Sequence, residues 1–243
     1  MLFLRPSLSI ILPFCFVRAT RSRPNNRPRT QTRSQSTIAE AISLPKELKD
    51  ALALAGALHR AANLAFAERN PAEADRLASD LIELSTRHNY LQWLAHGRIL
   101  RGWARSALGD TTEGIPWIEQ GIRDVRAAGT VLGMPGHLAQ KAEALYLGGR
   151  TSEALEAIDE AEALAERFEQ RSSLSMLHRL RAVFLAALGA DETQIEASFC
   201  EAIRIAREQK SVSLEKRAEA TYAEYGRQKA NASGGRGFRL PLC

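Results

Sequence analysis

From about Ser36 onward, apolar residues recur with the three-to-four-residue period of an amphipathic helix, and short polar breaks interrupt them. Four of the breaks contain glycine, proline or asparagine, which favour turns. They are Arg69-Asn70-Pro71, Gly109-Asp110, Gly149-Arg150 and Gly189-Ala190-Asp191. The spacing from residue 69 to 109, 149 and 189 is forty residues each time, so the pattern indicates an internal repeat.

The residues after the breaks also agree between units. An acidic residue recurs at the same phase with a small residue directly after it, as in Glu73-Ala74, Glu113-Gly114 and Glu153-Ala154. Threonine or serine ahead of glutamate is typical of a helix N-terminus, where hydroxyl and carboxylate accept from the first N–H groups. The small residue allows a partner helix to approach closely. The fourth unit fits the register with one extra residue.

Each unit is therefore predicted to be two antiparallel helices joined by a short turn. The predicted pairs are 46–68 with 71–88, 91–108 with 111–128, 137–147 with 151–169, and 174–188 with 192–209, and a closing helix covers 213–229. A single pair cannot bury its apolar face, whereas stacked pairs share a continuous core. The predicted fold class is all-α, an α-solenoid of about four helix pairs.

The repeats resemble tetratricopeptide repeats in an elongated form. With Gly109-Asp110 at the turn, the small positions of that pattern fall on Gly102 and Gly114, and the apolar neighbour falls on Ile115. Two departures are a period of forty residues and the presence of Arg98 and Arg101 at large apolar positions.

A more specific resemblance rests on three strings: ALHRAANLAFAERNPAEADRLA, WLAHGRILRGWARSALGDTTEGI and LHRLRAVFLAALGADETQIEASFCEAIRIAREQ. They are similar to the C-terminal repeat region of bacterial adenylate/guanylate cyclase-like proteins with an ATPase module, over about residues 36–230. The resemblance implies a regulatory role and a cyclase or ATPase module as a possible partner. The sequence has no G-x-x-x-x-G-K-[ST] loop for the ATPase itself. On this hypothesis the chain is a detached end of such a protein.

Charge divides the chain into an arm and a body. Residues 1–39 hold seven arginines and no acid, whereas all 28 acidic residues lie from Glu40 onward beside 26 of the 33 basic ones. We predict a disordered arm over 1–35, a repeat domain over 36–229 and a disordered Gly-rich tail over 230–243. The arm could instead contact membrane, target the chain or bind nucleic acid through its charge. Its apolar run 7–17 is too short for stable membrane insertion.

No catalytic or metal-binding pattern stands out. The five histidines never pair at metal-ligand spacing on one helix face, and Cys15, Cys200 and Cys243 lie far apart without CxxC spacing. We therefore predict no cofactor, no metal and no enzymatic activity. The absence of a disulfide framework favours a reducing compartment, and the predicted location is cytoplasmic.

A binding surface has better support. In tetratricopeptide stacks the first helix of each pair builds the inner face, where equivalent residues form columns. One predicted column is Asn63, Trp103, Glu143 and Val183, and another is His59, Ile99, Ala139 and Arg179. The candidate partner-binding residues are His59, Asn63, Trp103, Glu143, Tyr146 and Arg179. The alternative is that Trp103 fills the core between units.

We therefore expect a non-catalytic scaffold for protein–protein interaction, a regulatory or sensor module of a bacterial signalling system. The alternative is a detached C-terminal fragment of a cyclase/ATPase-type protein, acting on that enzyme in trans or without function of its own. Nucleic acid is not expected as a partner of the slightly acidic body.

Overall fold

The computed structural model describes residues 39–231 and the two residues Leu240 and Leu242. The described residues form helices and turns, without strands, which confirms the predicted class. The helices are α1 (39–47), α2 (Ala51–Ala67), α3 (Pro71–His88), α4 (Leu91–Ala107), α5 (Thr111–Ala127), α6 (Met134–Leu147), α7 (Thr151–Arg167), α8 (Leu174–Ala187), α9 (Glu192–Glu208) and α10 (Val212–Asn231). A short 3₁₀ turn, Arg171–Ser173, precedes α8.

A residue in the left-handed conformation closes each of the helices α1 to α9, about every twenty residues. Within the pairs these residues are Arg69, Gly109, Gly149 and Gly189, and between the pairs they are Lys49, Asn89, Gly129, Glu169 and Lys210. Positive φ ends a helix because its continuation needs the right-handed region. The first four match the predicted breaks, and the last spacing is 41 residues, which matches the predicted extra residue in the fourth unit.

Helix starts differ slightly from the prediction. The Asn70 side chain accepts from the Glu73 amide at 3.2 Å, and that of Asp110 accepts from the Glu113 amide at 3.1 Å. The residue before the predicted Thr or Ser position is thus the cap, since a short polar side chain there reaches the third helical N–H group. Arg150 occupies this place before α7 without a side-chain cap.

The second helices of the pairs, α3, α5, α7 and α9, bury one stripe each, whereas the first helices bury most of their circumference. In α5 the buried residues follow helical spacing: Gly114, Ile115, Ile118, Gly121, Ile122 and Val125. In α4 they include runs of neighbours: Ala95, His96, Gly97, Ile99, Leu100, Gly102, Trp103, Ala104 and Ser106. Burial on all sides indicates that α4 is covered on more than its α5 face. The helices α2, α4, α6, α8 and α10 thus form an inner layer.

The closest helix approach joins α4 and α5 at the predicted small position. A Cβ added to Gly102 would lie 2.5 Å from the Gly114 carbonyl oxygen and 2.9 Å from the Ile118 nitrogen. Two glycines face each other here because no side chain fits between the backbones.

The two unusual arginines of the second unit sit in ion pairs rather than in the core. Arg98 contacts Asp124 at 2.6 Å, and Arg101 lies 3.4 Å from Asp75 with its guanidinium 4.8 Å from the Trp117 ring centroid. Their long side chains pack apolar stems while the charged ends stay partly exposed.

The inner layer curves far enough for its ends to meet. Arg217 of α10 donates to the Ala67 carbonyl oxygen at the end of α2, at 2.5 Å and 150 residues away in sequence. Within residues 39–231, no helix combines the length and the apolar character that a bilayer crossing requires.

The predicted arm over 1–35 lies outside the described residues. So does most of the predicted tail over 230–243, although α10 extends to Asn231 and the side chains of Leu240 and Leu242 are buried with the core.

Candidate site on the inner face

Three of the six predicted residues meet in one place. Trp103 on α4 donates its indole N–H to Oε2 of Glu143 on α6, at 2.8 Å. On the other side, Nη2 of Arg179 on α8 lies 3.7 Å from Oε1 of Glu143. Each residue thus comes from the first helix of a different unit, as the predicted columns require. Whether they bind a partner stays a prediction.

A fourth residue, Arg69, completes this group, which we call the inner cluster (Arg69, Trp103, Glu143 and Arg179). Its Nη1 donates to both carboxylate oxygens of Glu143, at 3.0 and 2.7 Å. Its guanidinium carbon lies 5.1 Å from the Trp103 ring centroid, within cation–π range. Phe66 meets the same indole edge-on, with centroids 4.7 Å apart.

The inner cluster is buried. Glu143 is 0% exposed, Trp103 is 1% and Arg179 is 2%. A carboxylate without water is tolerable only when several donors replace its hydration, and here an indole and two guanidinium groups face it. Trp103 therefore packs in the core, as the alternative interpretation held, while its indole N–H donates a hydrogen bond to the Glu143 carboxylate.

Arg69 was not predicted, because it lies in a turn. Its φ is +58°, at the register position where Gly109, Gly149 and Gly189 stand in the other units. A side chain in this conformation costs free energy that glycine avoids. The sequence contained one signal for this residue: the other three units have glycine at this position, whereas the first unit has a charged side chain.

His59 and Asn63 lie on α2, about one turn apart. The Asn63 amide nitrogen is 2.9 Å from Nε2 of His59 and donates to the His59 carbonyl oxygen at 3.0 Å. Tyr146, the sixth predicted residue, lies at the end of α6, where its ring meets Phe184 with centroids 5.1 Å apart.

A row of three histidines, which we call the histidine row (His59, His96 and His137), crosses α2, α4 and α6. Adjacent ring centroids are 4.8 and 5.2 Å apart, and Trp93 lies 5.3 Å from His59. The sequence spacings of 37 and 41 residues depart from the forty-residue register, so the columns did not predict the row.

The histidine row is neutral at pH 7. Burial lowers the pKa of His59 to about 4, and the nearby His96 and Arg60 add to the effect. Burial lowers the pKa of His137 to about 3, aided by His96 and opposed by a hydrogen bond with Gln140. Burial also lowers the pKa of His96. In the described part of the chain, no group of three or more His, Cys, Asp or Glu side chains is placed to hold a metal ion.

A cleft of about 620 Å³ lies elsewhere, between α7 and α8, and Glu162, Arg171 and His178 are among its lining residues. Nδ1 of His178 is 3.5 Å from Oε1 of Glu162, and both side chains are partly exposed. Such polar contacts are common on surfaces, so the inner cluster remains the stronger candidate.

Comparisons with known proteins bear on the fold. No family model matches the chain. An uncharacterized protein of Rhizobium meliloti (strain 1021) is 24% identical over 193 residues, which cover 79% of this chain and 19% of that protein. The chain thus spans about a fifth of that relative's length.

Among solved structures, Bacillus thuringiensis PlcR, crystallised in complex with the peptide PapR7 and DNA, is similar with a TM-score of 0.50. The identity is 14%, and the match covers 86% of this chain and 77% of that chain. A likeness at this identity shows the fold alone: the chain is a tetratricopeptide-like solenoid of antiparallel helix pairs.

Proposed function

We propose that this chain is a non-catalytic helical-repeat module, a regulatory or sensor part of a bacterial signalling system, that binds an extended peptide segment on its inner face. The observation that carries the proposal is the inner cluster, in which three successive units and a strained turn contribute to one buried group. The stability of stacking alone does not require this group, because apolar side chains of similar volume often stabilise a core equally well.

The chemistry of the inner face suits a peptide. Phe66 and Asn63 on α2 are partly exposed and provide an aromatic ring and an amide donor, while the buried inner cluster ties the end of α2 to α4, α6 and α8. The PlcR complex supports this choice of ligand, because a protein of the same fold is seen there with a peptide.

We propose protein rather than nucleic acid as the partner of the repeat domain, and a cytoplasmic location. Residues from Glu40 onward carry 28 acidic against 26 basic side chains, so they lack the excess of positive charge that attracts phosphate backbones. DNA binding by the full chain after the seven arginines of residues 1–39 are replaced by glutamine would contradict this part of the proposal.

The test is a selection from a random peptide library on the full chain, followed by fluorescence anisotropy with the selected peptides. Asn63→Ala, on the inner helix α2, should weaken binding about tenfold through one lost hydrogen bond. The matched control is Gln120→Ala on α5, a partly buried amide that bonds Asp124 away from the inner cluster. Selection of no peptide, or equal affinity in both variants, would overturn the proposal.

A second candidate function follows from the relative's length. Since the match covers 19% of that protein, such repeats also occur within a chain about five times the length of the matched region. The repeat domain would then regulate a cyclase or ATPase module in trans, or be a remnant without function of its own. A pull-down from native extract that recovers such an enzyme supports regulation in trans, and one that recovers other proteins contradicts it.

A further inference from the structure

Part of the inner layer is buried from solvent. Trp103, Glu143 and Val183, all from the column predicted to face inward, are each at most 1% exposed. In an open solenoid these positions would meet solvent or a ligand. Curvature of the layer and the contact between Arg217 and Ala67 narrow the inner face, and further atoms can cover it.

Two residues outside the helices are buried with the same core. Leu240 is 3% exposed and Leu242 is 5%, and both belong to the apolar cluster that includes residues of α2 to α10. Neither lies in a helix. They stand two positions apart, the spacing at which side chains of an extended chain point to the same side.

The inner face is one place where a non-helical segment can add side chains to this core. The outer helices already use their single buried stripe against the first helices, as α5 does with Ile118 and Ile122. A non-helical segment can therefore join the shared core from the inner side without separating a helix pair. We propose that the chain's own C-terminal segment occupies the inner face through Leu240 and Leu242, as a tethered ligand that competes with the partner peptide.

The length of chain permits this. Eight residues lie between Asn231, the end of α10, and Leu240, which makes nine steps along the chain, and an extended chain spans about 3.3–3.6 Å per step. A reach of about 30 Å is comparable to the length of a 20-residue helix, so the segment can reach across the inner layer.

The inference rests on the proposed function and specifies its ligand class. The partner peptide carries two apolar side chains at positions i and i+2, as Leu240 and Leu242 do. Because a short tether holds the internal segment at an effective concentration in the millimolar range, it displaces weak external peptides and admits tight ones.

The test uses the full chain with both leucines replaced, Leu240→Asp and Leu242→Asp, and a fluorescent synthetic peptide of residues 232–243. The peptide should bind this double variant at least about tenfold more tightly than the wild type, because the internal competitor is lost. A peptide with the same two aspartates should not bind. The matched control is Leu132→Asp, which changes a leucine that is 76% exposed and should bind the peptide as the wild type does.

A photo-leucine at the peptide position of Leu240 locates the site. Cross-links to α2, α4, α6 or α8 support the inference, whereas cross-links confined to α3, α5, α7 or α9 overturn it. Equal peptide binding by the wild type and a folded double variant also overturns it. If library peptides bind while this peptide does not, the inference fails and the proposed function stands. If this peptide binds the double variant while the library yields no peptide, the proposed function fails and occupation of the inner face by the chain's own segment stands.

Native-state trypsin cleavage of the wild type covers the case in which the double variant does not fold. The bond between Arg239 and Leu240 should be cut at least about tenfold more slowly in the folded chain than in the synthetic peptide. Equal rates would overturn the inference.

Discussion

Trp103 donates its indole N–H to Glu143, the residue forty positions later in the chain. Both occupy the same place in consecutive units, on neighbouring inner helices, so the repeat period itself creates the contact. A hydrogen bond between equivalent positions links two units by more than apolar packing. Arg69, in the unit that precedes the unit of Trp103, donates two further hydrogen bonds to the same carboxylate.

Replacing Glu143 with glutamine should destabilise the fold by about 3–5 kcal/mol, because it removes the charge that two buried guanidinium groups face. Urea denaturation followed by circular dichroism measures the change. Glu119→Gln is the control: Glu119 lies 3.4 Å from Lys141 in a partly exposed pair, where the cost should stay below about 1 kcal/mol. Equal losses in the two variants would show that Glu143 is not a special position.

Gly114→Ala should destabilise the protein by about 1–3 kcal/mol, although alanine favours helix. The added Cβ would meet Ser106 Oγ and the Gly102 carbonyl oxygen, and would lie 2.9 Å from the Ser106 amide nitrogen. Gly226→Ala on α10 makes the same chemical change where no atom lies within 4 Å, and it should stabilise by up to about 1 kcal/mol. Thermal denaturation should show opposite signs, and a stabilising Gly114→Ala would contradict the close approach.

Arg69→Gly and Glu169→Gly test what a left-handed side chain contributes. Both residues have positive φ, +58° and +53°, so glycine relieves about 1 kcal/mol at each. Glu169 is exposed, and its replacement should stabilise the fold slightly. Replacing Arg69 also removes the contact with Glu143, and we expect a net loss of about 2 kcal/mol or more. Chemical denaturation of the two variants would contradict this account if both changed in the same direction.

The histidine row should make the fold less stable as the pH falls. The folded pKa values, about 4 for His59 and about 3 for His137, lie below the ordinary value of 6.5, so the unfolded chain binds more protons. The free energy of unfolding therefore decreases from about pH 6.5 downward, by up to about 1.4 kcal/mol per pH unit for each histidine. Among the facing groups, Arg60 acts in the same direction and the Gln140 hydrogen bond opposes it.

His137→Gln should reduce this slope by up to one proton, as measured by urea denaturation between pH 7 and pH 5. His88→Gln changes an exposed histidine outside the row, at the end of α3, and serves as the control. An unchanged slope in His137→Gln would show that His137 takes no part in the pH dependence.

Much of the architecture could be predicted from the sequence because each unit repeats the same turn residues and the same small residue at the helix contact. The breaks at Gly109, Gly149 and Gly189 are the left-handed helix ends, and Gly114 lies at the close helix contact. These features depend on neighbours within about twenty residues. Period and helix limits are therefore local properties that one sequence displays.

The site was only partly predictable, because it depends on curvature. The column placed Trp103 and Glu143 near each other, but Arg69 reaches Glu143 from a turn 74 residues away. His96 and His137 join His59 although their spacings of 37 and 41 residues depart from the period of forty, so a fixed period does not describe the row. The burial of Leu240 depends on a contact with helices far from it in sequence.

The bond between Arg217 and Ala67 constrains how this array could evolve. Open solenoids gain or lose units by duplication or deletion, since each unit contacts only its neighbours. Here an inserted unit would carry α10 away from α2, and a deleted one would bring the two into collision. A change in the number of repeats would therefore break the contact between α2 and α10. Descendants should therefore keep the number of units while the sequences within them diverge.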